Sequence, residues 1–119
     1  MPRTVQKILV RHANDIKTEL AHGGAGQRQL IFSNPDIPNS KLEAVTIGKL
    51  PAKGVFEPHS HENVDELMVV VSGHAQVTSA SQKINVLPGH FVLFPAGIKH
   101  KIANTEKTPF VAQFVRFRR

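Results

Sequence analysis

The chain has 119 residues, 40% hydrophobic and 20% charged, which is enough to close one core but not two and argues against disorder. It contains no cysteine, so disulfides and thiolate chemistry are excluded, and its aromatic residues are all Phe, against modules that stack sugars or bases on exposed rings. The formal charge of +6 is spread from Arg3 to Lys107 with one dense group at Arg116, Arg118 and Arg119; nothing reads as a recognition helix or finger, so no nucleic-acid partner is expected.

In chain order, the first twenty residues are basic with only short apolar runs, which fails as a signal peptide. No stretch reaches the roughly 20 apolar residues of a membrane span, so a cytoplasmic protein without a membrane partner is expected. Residues 5–10 predict a first strand. Residues 15–21 predict the one short helix, capped by Asn14 or Asp15 and stopped at Gly23-Gly24. Apolar, β-branched segments then recur at 29–32, 42–50, 66–71, 75–78, 83–87, 91–94, 100–103 and 110–117. Turn signals separate them, among them Asn34-Pro35, Ser72-Gly73, Pro88-Gly89 and Pro95-Ala96-Gly97. Many short strands without a long helix predict an all-β antiparallel sandwich or barrel, as one domain over 1–119.

The informative stretch runs from Gly54 to Gly73. Side chains two apart on a strand share a face, so His59 and His61 can converge on one point. A turn through Asn63 leads into an apolar strand on which Glu66, Met68 and Val70 share one face. A carboxylate at the mouth of a buried strand is costly unless paired or bound to metal. If Glu66 faces inward, two imidazoles and a carboxylate make a set suited to one divalent transition metal: Mn, Fe, Co, Ni, Cu or Zn. A second stretch, Gly89 to Asn104, carries His100 on a new strand just after the Pro95-Ala96-Gly97 turn. By its local context alone His100 is as readily a surface residue as a ligand. His12, His22, His74 and His90 have no partner at ligand spacing and read as surface or turn residues.

Together the two stretches resemble the two motifs of the cupin superfamily. The first is matched by Gly54, His59-Ser60-His61, Glu66 and Gly73, and the second by Gly89, Pro95-Ala96-Gly97, His100 and Asn104. One departure is that four residues rather than the commoner five separate Gly54 from His59, which shortens a turn before the first ligand. The resemblance implies a jelly-roll, or double-stranded β-helix, barrel in which His59, His61, Glu66 and His100 bind the metal. It also implies a homodimer, because the long strands expected at 5–10 and 110–117 would otherwise leave open sheet edges.

Such a site keeps a net positive charge and one or two open coordination positions, suiting a small anionic or oxygen-rich ligand. Parity and proximity nominate Phe56, Met68, Val70 and Ile102 as pocket walls. Gln113, a lone polar residue in the apolar run 110–117, is the nominated polar contact, with Arg28 and Gln29 behind it. A metal-dependent dioxygenase or related oxidoreductase is the leading expectation. Isomerase, epimerase, cyclase or decarboxylase chemistry and a non-catalytic binding or sensing module are the alternatives.

Overall fold

The computed structural model describes residues 7–21 and 25–119. Among them ten strands follow in chain order: β1 (Glu19–Leu20), β2 (Gln27–Ser33), β3 (Leu42–Leu50), β4 (Val55–His59), β5 (Val64–Ser72), β6 (Ala75–Thr78), β7 (Lys83–Val86), β8 (Phe91–Phe94), β9 (His100–Ala103) and β10 (Phe110–Arg118). All pairings are antiparallel. A six-stranded sheet has the order β1-β2-β3-β10-β5-β8 and faces a four-stranded sheet of order β4-β9-β6-β7. This is the jelly-roll barrel expected.

Period-two alternation decides what is inside. On β5 the buried residues are Val64, Glu66, Met68 and Val70, and on β10 they are Phe110, Ala112 and Phe114. Met68, Val70, Phe110, Ala112 and Phe114 pack with Leu50, Phe56, Ala75, Val77, Val86, Phe94 and Ile102 into one core. Each such aliphatic or Phe side chain contributes about 1.5–3 kcal/mol on burial. Asn104, 1% exposed, ties the loops at one end of this core. Its amide donates to the carbonyls of Leu50, Pro51 and Thr108 at 3.2, 3.1 and 2.8 Å, and its Oδ1 accepts from the Glu106 N–H at 2.9 Å. Gly73 has a φ of +81°, and a Cβ there would collide with the backbone of Pro109 and Phe110; no other residue type fits that turn.

Three expectations are corrected. Residues 7–10 form no strand, and Ile8 and Val10 are 93% and 88% exposed; residues 5 and 6 lie outside the described residues. The helix expected over 15–21 is replaced by a 3-10 turn at Ala13–Asp15 followed by β1. Tertiary bonds override its helical pattern: the buried Gln29 amide donates to the carbonyls of Ala13 and Ile16 at 2.6 and 2.8 Å, and Glu19 pairs with Arg28 across the β1–β2 ladder. The expected stop, Gly23-Gly24, and His22 lie outside the described residues. Finally, the last strand is not an edge: β10 runs between β3 and β5.

Candidate metal centre

The register of the strands assembles the site. In the six-stranded sheet Ala44, Arg116, Glu66 and Phe94 lie opposite one another on β3, β10, β5 and β8, forming an inward-facing row. In the four-stranded sheet His59 on β4 is opposite His100 on β9. The two rows meet across the barrel. One donor atom each from His59, Glu66 and His100 lies within 4.8 Å of the other two. Donors about 2.0–2.2 Å from a common ion stand no more than about 4.4 Å apart, so one cation fits this set with little adjustment.

The histidines are oriented for that task. Nδ1 of His59 is 2.8 Å from the Glu57 carbonyl, and Nδ1 of His100 is 3.1 Å from the Ile98 carbonyl. A carbonyl only accepts, so each Nδ1 carries the proton and each Nε2 presents a lone pair. Phe94 stacks on His100 with ring centroids 4.0 Å apart and fixes its plane. Nε2 of His100 is buried without a hydrogen-bond partner among the described residues, 3.7 Å from Glu66 Oε1. Two acceptor atoms therefore face each other in a dry place, an arrangement that a proton or a cation must relieve. Burial pushes the Glu66 carboxyl up to about 7, against the pull of Arg116 and with the repulsion of Glu43. Burial also lowers His100, keeping its imidazole neutral and fit to ligate.

His61 stands beside this set. Its ring centroid is 5.0 Å from that of His59, and its Nδ1 is 3.5 Å from Arg116 Nη2. Its carbonyl accepts from the Gly97 N–H at 2.9 Å, joining the turns of the two motifs. Neighbouring Asp65 points the other way: it accepts from the Ala96 N–H at 2.8 Å and pairs with Arg119 at 2.9 Å. The Arg119 hydrogen bonds hold its carboxyl below the usual range. Adjacent acids on one strand thus have opposite fates, as parity requires.

Glu66 and His59 line an open-mouthed pocket of about 430 Å³, its mouth included, with Phe56, Ile102, Phe114, Thr46, Arg28 and Arg116 on its walls. Of the nominated walls, Phe56 and Ile102 are among the residues lining this pocket. Met68 and Val70 face inward but are packed into the core, 0% and 2% exposed, and do not line it. Gln113 is corrected. It lies between buried Ala112 and Phe114 and is exposed on the outer face of the sheet, because an odd position on β10 cannot share the inward row. Gln29 is also corrected, since its amide secures the 13–16 segment. Arg116 is the residue that polarity alone overlooks; counting in twos from Phe110 through Ala112 and Phe114 finds it.

Of the other described histidines, two bond to the backbone of their own turns. Nδ1 of His12 accepts from the Asn14 N–H at 3.0 Å, and Nδ1 of His90 accepts from the Leu87 N–H at 2.9 Å. His74 keeps a buried Nδ1 without a partner among the described residues and is not one of the three clustered groups.

Among solved structures, a predicted oxalate decarboxylase from Thermotoga maritima is similar over 93% of this chain and 100% of its own, with 22% identity and a TM-score of 0.83. The polyketide cyclase RemF from Streptomyces resistomycificus is similar over 94% and 80%, with 18% identity and a TM-score of 0.78. KdgF from Halomonas sp. is similar over 89% and 90%, with 22% identity and a TM-score of 0.71. At these identities the likeness is one of fold. No curated protein matches the chain. The cupin domain family matches residues 46–116, a span that contains both histidine motifs and most of the barrel. The chain therefore belongs to the cupin domain family.

Proposed function

We propose that the chain is a metal-dependent enzyme acting on a small oxygen-rich organic molecule, with His59, His61, Glu66 and His100 holding one divalent transition metal. The observation that carries this reading is the buried, unpartnered His100 Nε2 facing Glu66 beside an open pocket. His61 joins as the fourth ligand by turning its ring from Arg116 toward His59. A metal bound there supplies a Lewis-acidic centre and, with Mn, Fe, Ni or Cu, a redox centre. The chain's own residues do the rest. Phe56 and Ile102 give apolar walls that exclude water from one side of the ligand, while Arg28 and Arg116 on the other sheet draw in negative charge from the opposite side.

A dioxygenase or related oxidoreductase is the first form of this reading. The second is Lewis-acid chemistry without oxygen, such as decarboxylation, cyclisation or isomerisation. It is favoured by the similarity to a predicted oxalate decarboxylase and a polyketide cyclase. Oxygen uptake and product formation by metal-loaded protein, measured with small 2-oxo acids and 1,3-diketones in air and under argon, separate the two. Turnover is expected to fall at least a hundredfold in His61→Ala. Turnover under argon selects the second form, and ligand binding without turnover in either atmosphere would make the chain a binding module and overturn the enzyme reading.

The chain is further proposed to act as a homodimer through the outer face of the six-stranded sheet. There Val45, Val115, Leu67 and Leu93 form one cross-strand row, and Val69 and Phe91 belong to the next. Phe91 and Leu93 are 70% and 63% exposed, and an apolar face of this kind is a recognised mark of association.

A further inference from the structure

We propose that Arg116 is the carboxylate anchor of the pocket, which makes the substrate a small carboxylic acid rather than a neutral diketone or enol. This rests on the metal-centre reading above, since the substrate's second oxygen is taken to meet the His59–Glu66–His100 cluster.

Arg116 sits where such an anchor is needed. Its strand position is directly opposite Glu66 in the inward row, and its side chain lines the pocket. It is also incompletely used. Nη2 forms an ion pair with Glu43, 2.7 Å from its Oε1, and stands 3.5 Å from His61 Nδ1. Nε is buried and has no hydrogen-bond partner among the described residues. A guanidinium with a structural role frequently presents its planar fork to one carboxylate through two parallel bonds. Arg11 does this with Asp36, through Nη1 at 2.7 Å and Nη2 at 2.8 Å. Arg116 thus pairs through Nη2 alone among the described residues while its side chain lines the pocket, and a buried charged donor without an acceptor calls for a specific explanation.

Arg28 makes the contrast. It lines the same pocket, but its Nε is taken by Glu19 at 3.1 Å and the pair is about two-fifths exposed, 38% and 41%. Its exposed, paired charge is screened by solvent and raises the local concentration of anions. Thr46 lies next to Arg116 along the pocket wall, between the rows of the two arginines, and offers a hydroxyl to the same ligand. The polar contacts of the ligand thus gather on the six-stranded sheet, opposite the apolar surface of Phe56 and Ile102.

The test compares malonate with its neutral isostere malonamide by calorimetry on zinc-loaded protein, with zinc content measured in every sample. Malonate is expected to bind wild type and malonamide at least tenfold more weakly. Arg116→Gln is expected to lose about 10–100-fold in malonate affinity, the scale of a charged hydrogen bond, with zinc content unchanged. Arg116→Lys restores only part of the loss, because it returns the charge without the fork. Arg28→Gln changes affinity by less than about fivefold, and that change shrinks with added salt. Glu43→Gln separates an anchor from a merely structural ion pair: removing the competing carboxylate should leave malonate affinity equal or higher, whereas a structural pair predicts the loss seen in Arg116→Gln. Equal binding of malonate and malonamide, no malonate binding to wild type, or undiminished affinity in Arg116→Gln would each overturn the proposal. So would loss of zinc in Arg116→Gln. Should wild type take up no zinc, the comparison is made with whichever of Mn, Fe, Co, Ni or Cu it retains; should it retain none, the metal-centre reading fails by itself, and malonate binding to the metal-free wild type and Arg116→Gln decides the anchor alone.

Discussion

At the scale of single residues, burial without a partner is the recurring signal. Glu66 is 7% exposed, and burial pushes its carboxyl up to about 7 from an ordinary 4.5. A group raised in the folded state contributes stability that is fully present below its unfolded value and lost as pH rises through the folded one. Metal-free protein should therefore lose on the order of 3 kcal/mol between pH 4.5 and 8 from this residue alone. Glu66→Gln removes that slope, and thermal melts of chelator-treated wild type and variant at the two pH values check it. Melts with equal slopes would remove the buried, uncompensated carboxylate from the account. Much of this is legible in the sequence: the i, i+2 spacing of His59 and His61 and the acid on an apolar strand point to the same place. Arg116 was less legible, because a cation near a basic terminus resembles solvated surface until strand parity is counted. Gln113 misled for the converse reason. A polar residue in an apolar strand suggests a ligand contact, but its position is on the outer face.

At the scale of elements, the strands from β3 onward followed the sequence pattern closely, since each has a turn signal at its end and one buried face. The segment before β2 did not. Its helical periodicity is too short to compete with the β1–β2 pairing and the Gln29 bonds, and neither can be read from local sequence. The sheet's outer face carries its own consequence. Val115, Leu67 and Leu93 are aligned across β10, β5 and β8, with β8 at the sheet edge. Replacing Leu93 by Lys puts a charge into the proposed contact without touching the core. Sedimentation should then find wild type at twice the 13.1 kDa chain mass and Leu93→Lys as a monomer with its melting temperature measured alongside. A wild-type monomer at micromolar concentration contradicts the face as an interface.

At the scale of the molecule, the barrel brings two sheets together so that histidines from one meet a carboxylate and an arginine from the other. Neither sheet holds the set alone: β4 and β9 supply His59 and His100, while β5 and β10 supply Glu66 and Arg116. The long-range meeting of β5 with β9 is what local sequence could not convey; the motif spacing conveyed it through resemblance. The chemistry, by contrast, depends on side chains such as Arg116 and Thr46 that belong to no motif. The central claim is that the His–Glu–His cluster is a metal centre, and metal content tests it most directly. Protein loaded in turn with Mn, Fe, Co, Ni, Cu and Zn, then dialysed and measured by elemental analysis, should retain about one ion per chain with at least one of them. Folded His100→Ala should retain at least tenfold less. Retention of none of the six metals by folded wild type, or undiminished retention in His100→Ala, would contradict it.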